Sequence, residues 1–230
     1  MREITMEHII RPVAHIASDF STKFGIPRQA GIVRETESTV IFEPEYRDPE
    51  ALRGIEGSSH LWLIWQFSEN LREGWSPTVR PPRLGGNKRM GVFATRSPFR
   101  PNALGLSCVR LIAVEKTAQY GTVLRVAGAD LMDGTPIFDV KPYSPYADCV
   151  PDAQSAFAPA PEETLPVVFT EGTMEKVPEN KLAALKGVLA NDPRPRYQNS
   201  SERIYAMEFA GLEVKFRVEN KTVIVTEINK

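Results

Sequence analysis

Hydrophobic and polar residues alternate in short segments along the first two thirds of the chain, and residues typical of turns separate these segments. Alternation with a period of two is typical of a strand with one buried face. Together with short apolar runs, it predicts strands over residues 39–42, 60–67, 90–94, 106–114, 122–127 and 136–140. Successive strands without long intervening helices favour an antiparallel sheet or a closed barrel over βαβ units. The predicted fold class is therefore mainly β.

The pattern changes near residue 150. Residues 150–166 hold four prolines and four alanines, which predicts an extended linker. Residues 178–190 then place leucine and valine on one helical face, and three alternating segments, 204–209, 212–218 and 222–228, predict an antiparallel meander. We therefore divide the chain into a main β domain over 1–149, a linker over 150–166 and a small α+β domain over 167–230.

Composition and cysteine content indicate the class of protein and its cellular compartment. The 230 residues are 42% hydrophobic and 25% charged, as in ordinary globular proteins. No apolar run approaches the roughly 20 residues that span a bilayer, and the first residues lack a secretory pattern. Two distant cysteines, Cys108 and Cys149, fit a reducing compartment. We expect a cytoplasmic protein that does not contact membranes.

A basic segment stands out because the formal net charge of the chain is only -1. Residues 80–105 carry six lysines and arginines and no acidic residue, together with several prolines and glycines that exclude a helix. Loops of this composition favour an anionic or polar partner.

Several familiar sites are missing from the sequence. There is no dinucleotide-binding or phosphate-loop glycine motif, no nucleophile elbow, and no metal-binding spacing among the three histidines and two cysteines, so we expect no metal. Polar residues instead cluster in four loops: 27–29, 58–60, 80–100 and 133–143. Each cluster has a structural alternative, since 27–29 and 133–136 suit turns and His60 suits a core histidine.

Four strings carry a family resemblance: KFGIPRQAGIV, HLWLIW, RPPRLGGNKRMGVFATRSPFRPN with LG and S after it, and DLMDGTPIFDVKPYSPYAD. In order and spacing they resemble the TsaA-like family, the TrmO-type tRNA methyltransferases, over residues 8–150. The resemblance implies a seven-stranded antiparallel β-barrel that binds S-adenosylmethionine, acts as a homodimer and methylates N6 of N6-threonylcarbamoyladenosine at position 37 of threonine tRNA, in the anticodon loop. The chain departs from the family at Asp19 and Ala103, where proline is common.

The resemblance also implies site residues. For the cofactor S-adenosylmethionine these are Pro27, Arg28, Gln29, His60, Leu61, Arg96, Leu106, Asp133, Gly134, Thr135 and Pro136. For tRNA, the remaining basic residues Arg80, Arg83, Lys88, Arg89 and Arg100 suit phosphates, and Arg194, Arg196 and Tyr197 resemble a family element that grips tRNA or serves as a proline-stiffened connector.

No general base follows from the sequence. The acceptor nitrogen must lose a proton, and arginine cannot accept one at neutral pH. Asp139, Tyr143 and His60 are the candidates. Two alternatives stay open: a barrel that binds S-adenosylmethionine or RNA without turnover, and methyl transfer to another acceptor.

Overall fold

The computed structural model describes residues 8–81, 88–155, 163–194 and 202–230. Its strands, in chain order, are β1 Ala14–Ala17, β2 Glu37–Phe42, β3 His60–Gln66, β4 Thr78–Val79, β5 Met90–Gly91, β6 Leu104–Thr117, β7 Gly121–Ala127, β8 Pro136–Pro142, β9 Val167–Phe169, β10 Tyr205–Phe209, β11 Leu212–Glu219 and β12 Thr222–Asn229. The α-helices are α1 Pro145–Asp148 and α2 Glu179–Ala190. The predicted strands over 39–42, 60–67, 106–114, 122–127 and 136–140 are confirmed within a few residues.

Six strands form a closed ring in the order β1-β2-β7-β6-β3-β8. The ring closes because β1 pairs with β2 on one side and with β8 on the other, so that Ala14 lies opposite both Phe42 and Ile137. All six pairings are antiparallel. The alternation places every second side chain of β3 inside the barrel: Leu61 and Leu63 are fully buried, whereas Trp62 between them is only partly buried.

The structure differs from the sequence expectation in the number of barrel strands and in the strand over 90–94. Among the described residues the barrel has six strands, not seven. The expected strand over 90–94 is limited to β5, which pairs with β4 in a separate two-stranded ribbon, and Val92–Ala94 forms a 3₁₀ turn. The amide of Val92 donates to the Pro77 carbonyl, so the ribbon curls into this turn instead of extending into the barrel.

The C-terminal part is a four-stranded sheet, β10-β11-β12-β9, with α2 contributing to its core. The predicted helix and meander are confirmed. Strand β9 was not predicted; it pairs in parallel with β12, which a meander pattern does not indicate.

The long segment between β1 and β2 packs on this second core. Phe20 is 1% exposed and its ring meets Phe209 of β10 edge-on, with 5.5 Å between centroids. Val33 lies so close to α2 that a Cβ on Gly187 would stand 2.7 Å from its side chain. The segment between two barrel strands is therefore an integral part of the C-terminal core.

The predicted domain boundary near residue 150 stays a prediction. Part of the expected linker, residues 156–162, lies outside the described residues. At its end the backbone is tied down, because the Leu165 amide donates to the Ala190 carbonyl at 2.7 Å. No helix of the described ranges is long and apolar enough to cross a membrane.

Candidate functional site

Two of the four polar clusters meet at Arg96 and Gln29. The guanidinium of Arg96 donates a hydrogen bond to the side-chain oxygen of Gln29. Arg96 follows the 3₁₀ turn Val92–Ala94 and is exposed, and Gln29 lies in the segment between β1 and β2. The basic segment and the 27–29 loop, 67 residues apart in sequence, thus share one surface.

A carboxylate that the sequence analysis missed lies beside this pair. Asp130 follows β7, and its Oδ1 accepts a hydrogen bond of 2.5 Å from the Ser107 hydroxyl. Ser107 in turn accepts one of 2.9 Å from the indole nitrogen of Trp65. The backbone amide of Ala30, next to Gln29, also donates to Asp130. The chain Trp65–Ser107–Asp130–Ala30 therefore connects the barrel interior to the loop that carries Arg28 and Gln29.

The pKa of Asp130 differs from that of an ordinary aspartate. Loss of hydration raises the pKa of its carboxyl above the ordinary 3.8, although the Ser107 hydroxyl and the Arg96 guanidinium act in the opposite direction. A carboxyl with a raised pKa and a nearby cation is a common feature of functional sites. A strictly apolar stretch before it, Val-Ala-Gly-Ala, was the only sequence signal that could have identified it.

Arg28 points toward the C-terminal part. Its guanidinium donates to the carbonyls of Asp192 and Arg194, at 3.4 and 3.0 Å. Arg194 is itself held by Asp192, with 2.8 Å between Nε and Oδ1, and this contact raises its pKa. The first part of the predicted tRNA element is thus adjacent to the 27–29 loop. Arg196 and Tyr197 lie outside the described residues.

The loop at 133–136 is a tight turn bonded to the segment after β1. Asp133 accepts a 2.9 Å hydrogen bond from the Ser18 amide, and Gly134, with φ +74°, donates its amide to Ile16. Thr135 is 3% exposed and its hydroxyl donates to the Met132 carbonyl at 2.7 Å. The side chains of Pro27 and Thr135 are buried, so these two residues shape the loops more than they line a surface. Gly134 and Asp133 are exposed, and Pro136 begins β8.

The second cluster, at His60, contacts Ser59 and Tyr143, and no contact of the described residues joins His60 to Arg96. His60 starts β3 opposite Arg110, whereas Gln66 ends β3 opposite Leu104, and β8 begins near that second end. Six residue steps along a strand span about 20 Å. Leu61 is fully buried, so only its backbone is available for a ligand, and Leu106 is 53% exposed on the outer face. The contacts within the described residues therefore do not join the His60 cluster to Arg96 and Gln29.

The candidate bases lie near the His60 end or on the outer face of β8. The Tyr143 ring is 6.3 Å from the His60 ring, and partial burial together with the Cys149 thiol raises the pKa of Tyr143. Asp139 accepts a hydrogen bond from the Val140 amide at 2.9 Å. Because the pKa of Tyr143 is raised, its phenol is less readily ionised at neutral pH, and the phenolate is less available as a general base.

The tRNA candidates divide into two kinds. Arg80, Lys88 and Arg89 are exposed, and no carboxylate of the described chain lies within ion-pair distance of them. Arg100 is partly buried and donates to the Thr95 carbonyl at 2.9 Å, which holds the turn in front of Arg96. Arg83 lies outside the described residues.

The donor set near Arg96 fits a zwitterion. Arg96 supplies a cationic hydrogen-bond donor and Asp130 a carboxylate beside Gln29, and Arg28 precedes Gln29 in the same loop. S-adenosylmethionine carries a carboxylate and an ammonium on its amino-acid part, and complementary charges of both signs are what such a group requires. No cluster of three or more metal-ligating side chains occurs within the described ranges.

The chain has known relatives. A family model described as the tRNA-methyltransferase O N-terminal domain matches residues 15–149, and one described as the TrmO C-terminal domain matches 162–230. A tRNA (adenine(37)-N6)-methyltransferase of Escherichia coli (strain K12) is 42% identical over 212 residues, which cover 88% of this chain and 90% of that protein. A putative S-adenosylmethionine-dependent methyltransferase RcsF of Pseudomonas aeruginosa is 39% identical over 227 residues, covering 95% of this chain and 96% of the relative.

A crystal structure of TrmO from Pseudomonas aeruginosa superposes with a TM-score of 0.81 at 33% identity and covers 98% of this chain and 99% of the other. The barrel followed by a small α+β sheet thus defines one class of proteins, those that join a TrmO N-terminal domain to a TrmO C-terminal domain. The chain belongs to the tRNA-methyltransferase O family.

Proposed function

We propose that the protein is an S-adenosylmethionine-dependent tRNA methyltransferase that acts on N6 of the adenine at position 37. Family membership supports the reaction class. The observation that carries the proposal on this chain is the Arg96–Gln29 contact beside Asp130, because it joins cationic donors and a carboxylate on one surface, next to the basic ribbon.

The residues of this chain have separate roles in the proposal. When bound, S-adenosylmethionine supplies an electrophilic methyl group on its sulfonium. Arg96 and Arg28 hold a carboxylate, Gln29 orients Arg96, and Asp130 anchors the loop while it offers an acceptor. Holding donor and acceptor in line contributes most of the rate in a reaction that needs little covalent assistance.

The specific substrate in this proposal is N6-threonylcarbamoyladenosine in threonine tRNA. Its threonyl carboxylate requires a positive partner, and the described parts of the ribbon carry exposed cations without acidic partners at Arg80, Lys88 and Arg89. The same cations suit the phosphates of the anticodon loop. We place the enzyme in the cytoplasm, where tRNA is modified and where its two free thiols stay reduced.

A homodimer is part of the proposal, because no contact of the described residues joins His60 to Arg96 within one chain. The outer face of β3 and β6 exposes Leu106 beside Ile64, and a second copy on such a face brings its own His60 loop toward the first copy's cofactor loops. Mixing the inactive variants Arg96→Ala and His60→Ala tests this: recovered activity supports a site shared between subunits, and no recovery from folded dimers contradicts it.

The experiment that tests the function uses purified protein, labelled S-adenosylmethionine and two threonine tRNAs, one with the threonylcarbamoyl group and one with plain adenosine. We expect methyl transfer to the modified tRNA only, located at N6 by mass spectrometry of the nucleosides. Equal transfer to both tRNAs contradicts the proposed requirement for the threonylcarbamoyl group. Binding of cofactor and tRNA without any transfer contradicts the enzyme and favours a binding module.

A further inference from the structure

Two large aromatic side chains lie exposed on the basic ribbon. Trp75 is 55% exposed and Phe93 is 71% exposed, and their ring centroids are 6.1 Å apart with the planes tilted by 37°. Rings of this size usually lie in cores, so two of them side by side on a surface indicate a binding role. The function proposed above assigns nothing to either residue.

The ribbon geometry holds the pair in place. Thr78 of β4 lies opposite Gly91 of β5, and the Val92 amide donates to the Pro77 carbonyl at 2.9 Å. These contacts bring the chain before β4 and the turn after β5 to the same end of the ribbon. The two rings thus meet because the backbone on each side is hydrogen-bonded, and their position does not depend on burial.

Positive charges predominate around the rings. The described residues of 71–100 include six arginines and lysines and one acidic residue, Glu73. The Arg100 guanidinium carbon lies 6.0 Å from the centroid of Phe93. The register, with Val79 opposite Met90, also sets Arg80 beside Arg89. Like charges side by side without carboxylates favour a polyanionic partner over a protein of mixed charge.

The chain connects the rings directly to the candidate cofactor site. Phe93 lies inside the turn Val92–Ala94, and Arg96, which contacts Gln29, follows it within one further turn of chain. A ligand on the rings is therefore adjacent to the residues proposed to hold the methyl donor.

We propose that Trp75 and Phe93 form a stacking platform for an unpaired nucleobase of the RNA substrate, while the flanking cations hold its backbone. The inference rests on the proposed function and adds to it the residues that hold a base of the loop. Aromatic side chains interleaved with cations are the usual means of binding single-stranded RNA, because every base has a face that stacks.

The test measures the affinity of the full chain for an RNA hairpin with the threonine tRNA anticodon loop. Phe93→Ala and Trp75→Ala each weaken binding by about 5- to 100-fold, whereas Phe93→Tyr, which keeps a ring, stays within about twofold of wild type. Affinity for S-adenosylmethionine, measured by calorimetry, does not change. Tyr120→Ala is the matched control, since it removes another ring that has an arginine, Arg47, over its face.

A second arm tests stacking itself. Hairpins with one abasic position in the loop are bound by wild type and by Phe93→Ala. If a base stacks on the ring, removing that base weakens binding by the wild type but not by Phe93→Ala, which has already lost the stacking contact. The two losses are then not additive at that position. Full additivity at every loop position overturns the platform.

The outcomes separate the platform from the function on which it rests. A wild-type enzyme that binds and methylates tRNA, together with alanine variants that bind equally well, overturns the platform and leaves the function intact. Variants that keep RNA affinity but change the oligomeric state in sedimentation show that the rings contact another copy of the chain, which also overturns it. A wild type without RNA affinity contradicts both.

Discussion

Asp19 and Lys181 form a largely buried ion pair that connects the loop after β1 to helix α2. The lysine nitrogen lies 2.6 and 2.8 Å from the two carboxylate oxygens, and the side chains are 15% and 26% exposed. The pair lines a cavity of about 330 Å³ between the two parts of the chain, together with Ser18, Ser21, Asp133 and Asn180.

Removal of either partner of this pair destabilises the protein. We expect Lys181→Ala and Asp19→Ala each to lower the free energy of unfolding by about 1–3 kcal/mol, because the remaining charge loses its hydrogen bonds in a poorly hydrated place. Urea denaturation measures the change. Lys221→Ala, which removes an 84% exposed lysine 3.9 Å from Glu163, leaves the unfolding curve unchanged. Equal effects from both lysines contradict the role of burial.

Stability depends on pH through Asp130. Its pKa is raised in the folded protein, so the native state binds more protons than the unfolded state at pH values between 3.8 and the folded pKa. Stability therefore falls as pH rises through that window, and Asp130→Asn removes this fall. Unfolding curves at a series of pH values measure it.

Asp148 provides a control of opposite sign. Hydrogen bonds from the Ser144 amide and the Trp62 indole lower its pKa, so its contribution is present above the unfolded pKa and is lost as pH falls. Asp148→Asn therefore lowers the free energy of unfolding at neutral pH but not in acid. The same trend in both variants contradicts the assignment.

Arg96 binds the cofactor in our proposal. We expect Arg96→Ala to weaken S-adenosylmethionine binding by about 1–3 kcal/mol, since a charged partner loses its hydrogen bonds, and Gln29→Ala to weaken it less. Isothermal calorimetry without RNA measures both. Arg125→Ala is the control, because Arg125 also pairs with acidic side chains, Glu37 and Glu115, but lies on the barrel wall. Unchanged affinity in Arg96→Ala contradicts the proposed site.

Lys88 and Arg89 contact phosphate in our proposal. Each such contact releases counterions, so the double variant to alanine lowers the slope of log affinity for tRNA against log salt by roughly one unit per contact. Filter binding across a salt series measures the slope. The affinity for S-adenosylmethionine stays the same, and an unchanged slope rules out a phosphate role for this pair.

Gly105 leaves room for Trp65. A Cβ on Gly105 would lie 2.3 Å from the Trp65 ring, so Gly105→Ala displaces the indole and breaks its hydrogen bond to Ser107. We expect lower stability and a shifted tryptophan emission spectrum. Gly57→Ala is the control, because nothing lies within 4 Å of a Cβ there. A well-folded Gly105→Ala with the wild-type spectrum contradicts the packing.

The barrel strands and the C-terminal meander could be predicted because each buries one face and alternates with period two. Strand β1 was missed since it is only four residues long, and β9 because parallel pairing leaves no turn in the sequence. Asp130 was not predicted as a site residue, because the turn at 133–136 has the clearer sequence pattern. Its role depends on Ser107 and Ala30, and contacts between distant segments have no local pattern.

The packing of Phe20 against Phe209 has a consequence for protein synthesis. The ribosome releases the segment between β1 and β2 early, but its apolar partners on β10–β12 emerge only near the end of translation. The loop that carries Arg28 and Gln29 must therefore stay without its final support while most of the chain is made. If this loop holds the cofactor as we propose, nascent or prematurely terminated chains lack an assembled site, and methylation begins only after the last strands have been added.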